Sequence, residues 1–157
     1  MVVVNYKSII ITIVILLIVS YTLYCSIIPY TSELWKNRNH EEKIEQLKNK
    51  LKKCFDYEHM QKHIDKLIIN PGHKSYIINK RNVSLCLEDD ENNYYNDDLL
   101  LHVLIHELSH SICNETGHTE QFYAIDDDLQ RIAKEKNFIS KTFDPMNHLD
   151  YCKFRND

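Results

Sequence analysis

The stretch His106-Glu107-Leu108-Ser109-His110 decides the reading of this chain. On an α-helix, side chains four residues apart lie one turn apart on one face, so the two imidazoles converge on one point and Glu107 lies beside it. Two histidines at that spacing with an adjacent carboxylate combine a zinc site and a general base. The pattern implies a metallopeptidase-type centre with His106 and His110 as metal ligands and Glu107 as the base. The motif requires a helix, and its flanks point to one. Asn96-Asp97-Asp98 sets acidic residues at the positive end of a helix dipole. Leu101, Leu104, Ile105, Leu108 and Ile112 recur at three- and four-residue steps, an apolar stripe with the histidines beside it.

A catalytic zinc takes three protein ligands and keeps one position open for water, so the motif needs a partner downstream. His118 is the leading candidate. Thr116-Gly117 is expected to end the ligand helix, because glycine takes the left-handed conformation of a C-cap and lets the chain reverse. Thr119 then caps a further helix, Glu120 to about Lys136, whose Phe122, Ile125, Leu129, Ile132 and Ala133 form a face that packs on the ligand helix. Glu115, Glu120 and one of Asp126 to Asp128 are rivals for the third position. His102 lies one turn before His106, but three ligands in line do not make a tetrahedron, so it reads as a core or supporting histidine.

Upstream, Ser32 to about Ile69 reads helical, as one helix or a broken pair, with Ile44, Leu47, Leu51 and Phe55 on one stripe and Met60, Ile64 and Leu67 on the next. Asn70-Pro71-Gly72 stops it. Ser75 to Asn79 and Val83 to Leu87 read as a strand pair turning at Lys80-Arg81-Asn82. Glu88 to Tyr95, acidic and rich in asparagine, reads as a solvated loop. His148 and Tyr151, in the tail, are possible oxyanion donors, with packing on the domain as the plainer reading.

At the N-terminal end, Ser8 to Ile28 is a run of ~21 residues without a charge, long enough at about 1.5 Å per residue to cross the hydrocarbon core of a bilayer. Tyr21, Tyr24, Tyr30 and Trp35 suit an interfacial belt. The expectation is a single-pass anchor; a cleaved signal peptide is the competing reading, disfavoured by the length of the run and the lack of a small-residue cleavage site. The organisation that follows is residues 1–31 as transmembrane anchor, 32–53 as a juxtamembrane helical stalk and 54–157 as the zinc-binding domain. Lys36, Arg38, Lys43 and Lys48 after the span outnumber Lys7 and the α-amine before it, which favours a cytosolic domain. Cys54, Cys86, Cys113 and Cys152, with the sequons Asn82-Val83-Ser84 and Asn114-Glu115-Thr116, favour the lumenal side. Scattered cysteines without CxxC spacing read more readily as small buried hydrophobes than as bridges.

The formal net charge of −4 leaves no electrostatic footprint for nucleic acid. Two glycines and three prolines are few, and no internal repeat organises the chain.

Asn79-Lys80, Val83-Ser84-Leu85-Cys86-Leu87, Leu104-Ile105-His106-Glu107-Leu108-Ser109-His110 and Gly117-His118-Thr119-Glu120-Gln121-Phe122 together resemble the WLM/SprT-type zinc metallopeptidases, in particular small viral WLM-like members. The resemblance covers about Ser75 to Lys136. It implies zinc ligands at His106, His110 and His118, Glu107 as catalytic acid/base, and a protein or peptide substrate. The fold it implies is α+β, a minimal zincin or gluzincin-like core of helix, small β-sheet, HExxH helix and C-terminal helix, here preceded by one transmembrane helix. The alternative from another class is a non-catalytic, membrane-tethered interaction module in which zinc only staples a small domain. A structural site would recruit a fourth Cys or His and has no need of Glu107.

Overall fold

The first helix runs far past the apolar run that starts it, through an interior proline at Pro29. In the computed structural model, which describes residues 6–148 and 151–152, α1 spans Tyr6–Cys54, 49 residues. The chain divides into two units, residues 1–39 and 40–157. In the first, the large apolar side chains from Ile10 to Ile28 are exposed, and the guanidinium of Arg38 lies 4.9 Å from the ring centroid of Trp35.

The second unit is α+β. It begins with the C-terminal part of α1 and continues through α2 (Glu58–Lys66), β1 (Ile68–Pro71), β2 (Tyr76–Ile78), β3 (Asn82–Leu85), α3 (Asp97–Ile112) and α4 (Glu120–Glu135), ending in a 3₁₀ turn at Pro145–His148. The helical segment upstream of the sheet is thus a broken pair. Residues 32–53 do not form the stalk expected of them: from His40 onward α1 belongs to the folded unit, and Leu47 and Leu51 are buried in its core. The cause lies in the pattern, since the Leu47/Leu51 stripe is the one-sided apolar face of a core helix. The lysines of this part of α1 are used too. Lys43 and Lys50 both bridge to Asp97 at the start of α3, and Lys48 Nζ donates to the carbonyl of Leu67 at 2.8 Å.

The three strands are ordered β1-β3-β2. β2 and β3 are the expected antiparallel pair, with Ile77 opposite Val83, but they turn at Asn79-Lys80, one residue earlier than expected. Both residues have positive φ, 52° and 55°, and the turn runs on through Arg81, whose amide donates to the Ile78 carbonyl at 3.2 Å. β1 was not anticipated. Ile68–Pro71 pairs parallel with β3 where a helix stop was expected. The chain escapes from β1 at Gly72, where a Cβ would lie 2.0 Å from Ser84 Oγ.

Val83 and Leu85 are buried in one core with α3, whose Leu99, Leu100, Leu101, Leu104, Ile105 and Leu108 are all buried. Each such side chain stabilises the fold by roughly 1.5–3 kcal/mol. A free helix of this length is marginal in water, so this burial holds α3 in place. Its first turn is closed by Asn96, whose side chain accepts from the Leu99 amide at 2.8 Å. The last turn ends at Ile112, with Cys113 as C-cap, four residues short of the expected Thr116-Gly117. Gly117 does take a left-handed conformation, φ 82°, but within the exposed loop that follows. α4 agrees closely with expectation, and Thr119 caps it by accepting from the Phe122 amide at 3.3 Å.

One covalent link was not expected. Cys86 and Cys152 form a disulfide, while Cys54 and Cys113 are free and buried, as small hydrophobes.

Candidate metal centre

The i, i+4 spacing on α3 sets the rings of His106 and His110 with centroids 5.0 Å apart, and the loop before α4 brings back His118. Its Nε2 lies 3.1 Å from His106 Nε2, and one ligand atom from each of the three histidines lies within 4.8 Å of the others. Two nitrogens bound to one tetrahedral zinc at about 2.0–2.1 Å stand roughly 3.3–3.4 Å apart. The three imidazoles fit one small divalent cation. Among the described residues this is the cluster that offers three such ligands. Glu115 lines the same cleft without belonging to the ligand cluster, and Glu120 is likewise outside it.

Asp126, expected only as a rival ligand, lies behind the site. Its Oδ2 accepts a hydrogen bond from His106 Nδ1 at 2.9 Å, while Oδ1 accepts from Ser109 Oγ at 3.2 Å and Gln130 Nε2 at 3.3 Å. A carboxylate can only accept, so the proton sits on Nδ1 and the Nε2 lone pair faces the cluster, the tautomer a metal needs. Burial opposes charge on both partners. Their mutual bond outweighs it, lowering Asp126 and raising His106. His110 is pushed down to about 4, by burial first and then by the two neighbouring imidazoles. It is therefore neutral and able to ligate at physiological pH.

Phe122 lies fully buried against all three rings. It stacks on His110 at a centroid distance of 4.1 Å and an interplanar angle of 24°. Its expected packing role is thus more particular, because it walls the histidines in place. The sequence signal was available: Phe122 and Asp126 are one helical turn apart, so a face that packs on α3 carries both to it.

Glu107 is 5% exposed, and burial raises its carboxyl to about 7, against the lowering influence of His106. It lines an open cleft of about 730 Å³ together with the three histidines, β2 and the 115–118 loop. The cleft walls are fastened by two residues outside the motif. Lys80 Nζ donates to the carbonyls of Cys113, Asn114 and Glu115, closing the end of α3. On the other wall Ser75 Oγ accepts from the Cys86 amide at 3.0 Å and bonds Tyr151 Oη at 2.8 Å, while Tyr151 donates to the Cys86 carbonyl at 2.7 Å. Burial holds the Tyr151 phenol well above its ordinary range. Tyr151 is thereby a packing residue of the tail. His148 stacks on Phe143 and is absent from the cleft lining. His102 is half-buried, with its ring 5.5 Å from Phe143, as expected of a core histidine; burial pushes it down.

No protein-family model matches the chain, and no solved structure does. The similarity runs to viral proteins. Uncharacterized protein 136R of Invertebrate iridescent virus 6 is 35% identical over 77 residues, 47% of this chain and 43% of that protein. Uncharacterized protein 042R of Invertebrate iridescent virus 3 is 33% identical over 82 residues, 50% and 49% of the two chains. Uncharacterized protein R325 of Acanthamoeba polyphaga mimivirus is 30% identical over 111 residues, 69% and 52%. The chain spans about half the length of the curated relatives it matches.

Proposed function

We propose that the protein is a membrane-anchored zinc metallopeptidase of WLM/SprT type, with a zincin-like core and a protein or peptide substrate. The observation that carries this reading is Glu107. A carboxylate 5% exposed, beside a converging histidine and lining an open cleft, has no hydrogen-bond or ion-pair partner among the described residues that would explain its burial. A site that only stapled the domain would be closed by a fourth Cys or His, and the cluster offers three ligands.

His106, His110 and His118 would hold the ion. Zinc bound there supplies Lewis acidity, which polarises a peptide carbonyl and acidifies water. Glu107 takes the proton of the attacking water and returns it to the leaving amine, from its buried place beside the ligand His106. Asp126 keeps His106 in its ligating tautomer, and Phe122 fixes the rings. The short edge strand β2 and the 115–118 loop bound the space into which a substrate enters.

The anchor is part of the same proposal. The helix has an apolar window of mean hydropathy 2.4, none of it buried in the structure, which argues against a core helix. Its hydroxyls also suit a lipid setting. Ser20, Thr22, Ser26 and Thr31 donate to carbonyls three or four residues earlier in the same helix, so these four hydroxyls do not need water.

The test is elemental analysis and peptide hydrolysis on the full chain in detergent, comparing wild type with Glu107→Gln and His110→Ala. One equivalent of zinc in wild type and Glu107→Gln, hydrolysis in wild type alone, and neither property in His110→Ala is the expected result. Hydrolysis retained by Glu107→Gln would reject the proposed base, and a folded wild type without zinc would reject the centre.

A further inference from the structure

Two sets of residues outside the histidine cluster bear on which side of the membrane the folded unit matures. The first is the Cys86–Cys152 disulfide, which joins residues 66 positions apart and ties the tail to the end of β3. Structural disulfides form and persist in oxidising compartments and are rare where thiols are kept reduced. The second is Asn114-Glu115-Thr116. All three residues are exposed, in the loop just beyond the C-cap of α3. That loop is held open to solvent through its backbone, where Lys80 takes the carbonyls of Asn114 and Glu115. A glycosylation acceptor belongs on such a surface loop. Asn82, the other acceptor, is exposed as well, on the outer face of the sheet.

The opposing signal is the excess of basic residues after the apolar run, and the fold removes much of it. Lys43 and Lys50 are paired with Asp97, Lys48 with the Leu67 carbonyl and Lys52 with Asp65. These lysines have reasons to be present that owe nothing to a membrane. Nearest the run stand Lys7 on one side and Lys36 and Arg38 on the other, a difference too small to set orientation against two independent features.

We infer that residues 40–157 mature on the lumenal or exterior face of the membrane, where Cys86 and Cys152 are oxidised and Asn114 carries an N-linked oligosaccharide at the rim of the cleft. This rests on reading the apolar helix as a membrane span. In the glycosylation step the bond between the sugar C1 and the phosphate oxygen of a lipid-linked oligosaccharide diphosphate breaks. C1 bonds to Asn114 Nδ2, and the lipid diphosphate leaves with the displaced proton. In the oxidation step the two thiols lose two protons and two electrons to the disulfide of a lumenal thiol oxidoreductase, which is reduced to its dithiol. One consequence is immediate, since a substrate would reach the histidines past a sugar on the 113–118 side and meet β2 on the other.

The experiment is translation of the full chain with sealed microsomes, followed by protease protection, digestion with an amide-cleaving glycosidase, alkaline carbonate extraction and thiol alkylation before and after reduction. The expected result is a protected domain, resistant to carbonate, with a glycosidase-sensitive mobility shift that Asn114→Gln reduces, and with Cys86 and Cys152 alkylated only after reduction. Asn82→Gln is the parallel variant, and a shift lost there supports the same side. A protected, glycosylated chain released by carbonate with a shortened N-terminus would keep this inference and overturn the anchor. A protease-accessible, unglycosylated domain would overturn the inference, even with the disulfide formed. A protected domain with no shift sensitive to Asn114→Gln would overturn the assignment of the sugar.

Discussion

Replacing Asp126 with asparagine changes one atom and should weaken the metal site without unfolding it. The wild-type carboxylate accepts on both oxygens, from His106 on one and from Ser109 and Gln130 on the other. An amide has one oxygen to offer. If that oxygen faces His106, the new NH₂ confronts the Gln130 side-chain NH₂, and the Gln130 amide must turn. If instead the NH₂ faces His106, Nδ1 has to accept, the proton moves to Nε2 and the lone pair that ligates is lost. Either way the negative charge behind His106 is gone. Removal of such a supporting carboxylate typically costs 10–100-fold in metal affinity, about 1.4–2.7 kcal/mol. The assay is competition for zinc between the full chain in detergent and a chromophoric chelator at pH 7.5, with circular dichroism as the check on folding. Asp126→Asn is expected to bind 10–100 times more weakly than wild type while keeping its spectrum, and His106→Ala more weakly still. An affinity unchanged within about twofold in a folded Asp126→Asn protein would refute the orienting role.

Three other outcomes are expected. In the metal-free chain Glu107 has its carboxyl raised to about 7, so between about pH 4.5 and 7 this group holds more protons in the folded state than in the unfolded one and its own contribution to stability falls as pH rises, against the opposite contribution of His110, lowered to about 4. The Glu107 part, on the order of 3 kcal/mol by that linkage, is read as the difference in denaturant midpoint between wild type and Glu107→Gln across that window; a difference that does not change with pH would contradict it. Leu51, fully buried on α1, should cost about 2–5 kcal/mol on truncation to alanine, whereas a solvated stalk residue would cost under about 0.5 kcal/mol. Cys152→Ser opens a loop closed over 66 residues, worth about 4 kcal/mol by chain entropy, read as a shift in urea midpoint against the oxidised wild type; no shift would mean that the tail is not held by the bond.

What the sequence made legible was local. The His106/Glu107/His110 turn, the apolar stripe beside it and the Thr119-capped helix all repeat within one or two turns, so their periodicity is visible in a short window. His118 followed from the ligand count, and the structure brings it to the other two. Partners far apart in the chain stayed hidden. β1 is four residues long and pairs with a strand fourteen positions on, which leaves no pattern of its own. The stripe at Leu47 and Leu51 was visible, but its continuity with the apolar run disguised the point where a core helix begins. Cysteine pairing depends on which ends of the fold meet, and four cysteines allow three pairings. Asp126 was noticed for its charge; its orienting place depends on the register of α4 against α3.

The bonds that close the sheet also join residues far apart along the chain. Tyr151 reaches back 65 residues to Cys86 and 76 to Ser75, and Lys136 reaches back 82 to the Cys54 carbonyl at the end of α1. Contacts of such separation must bear their loop-closure entropy before they return any stability. The Cys54 end of α1 is therefore made early and waits for Lys136, and the end of β3 waits for Tyr151. A nascent chain arrested before Tyr151 has neither the cleft wall nor the means to lock it.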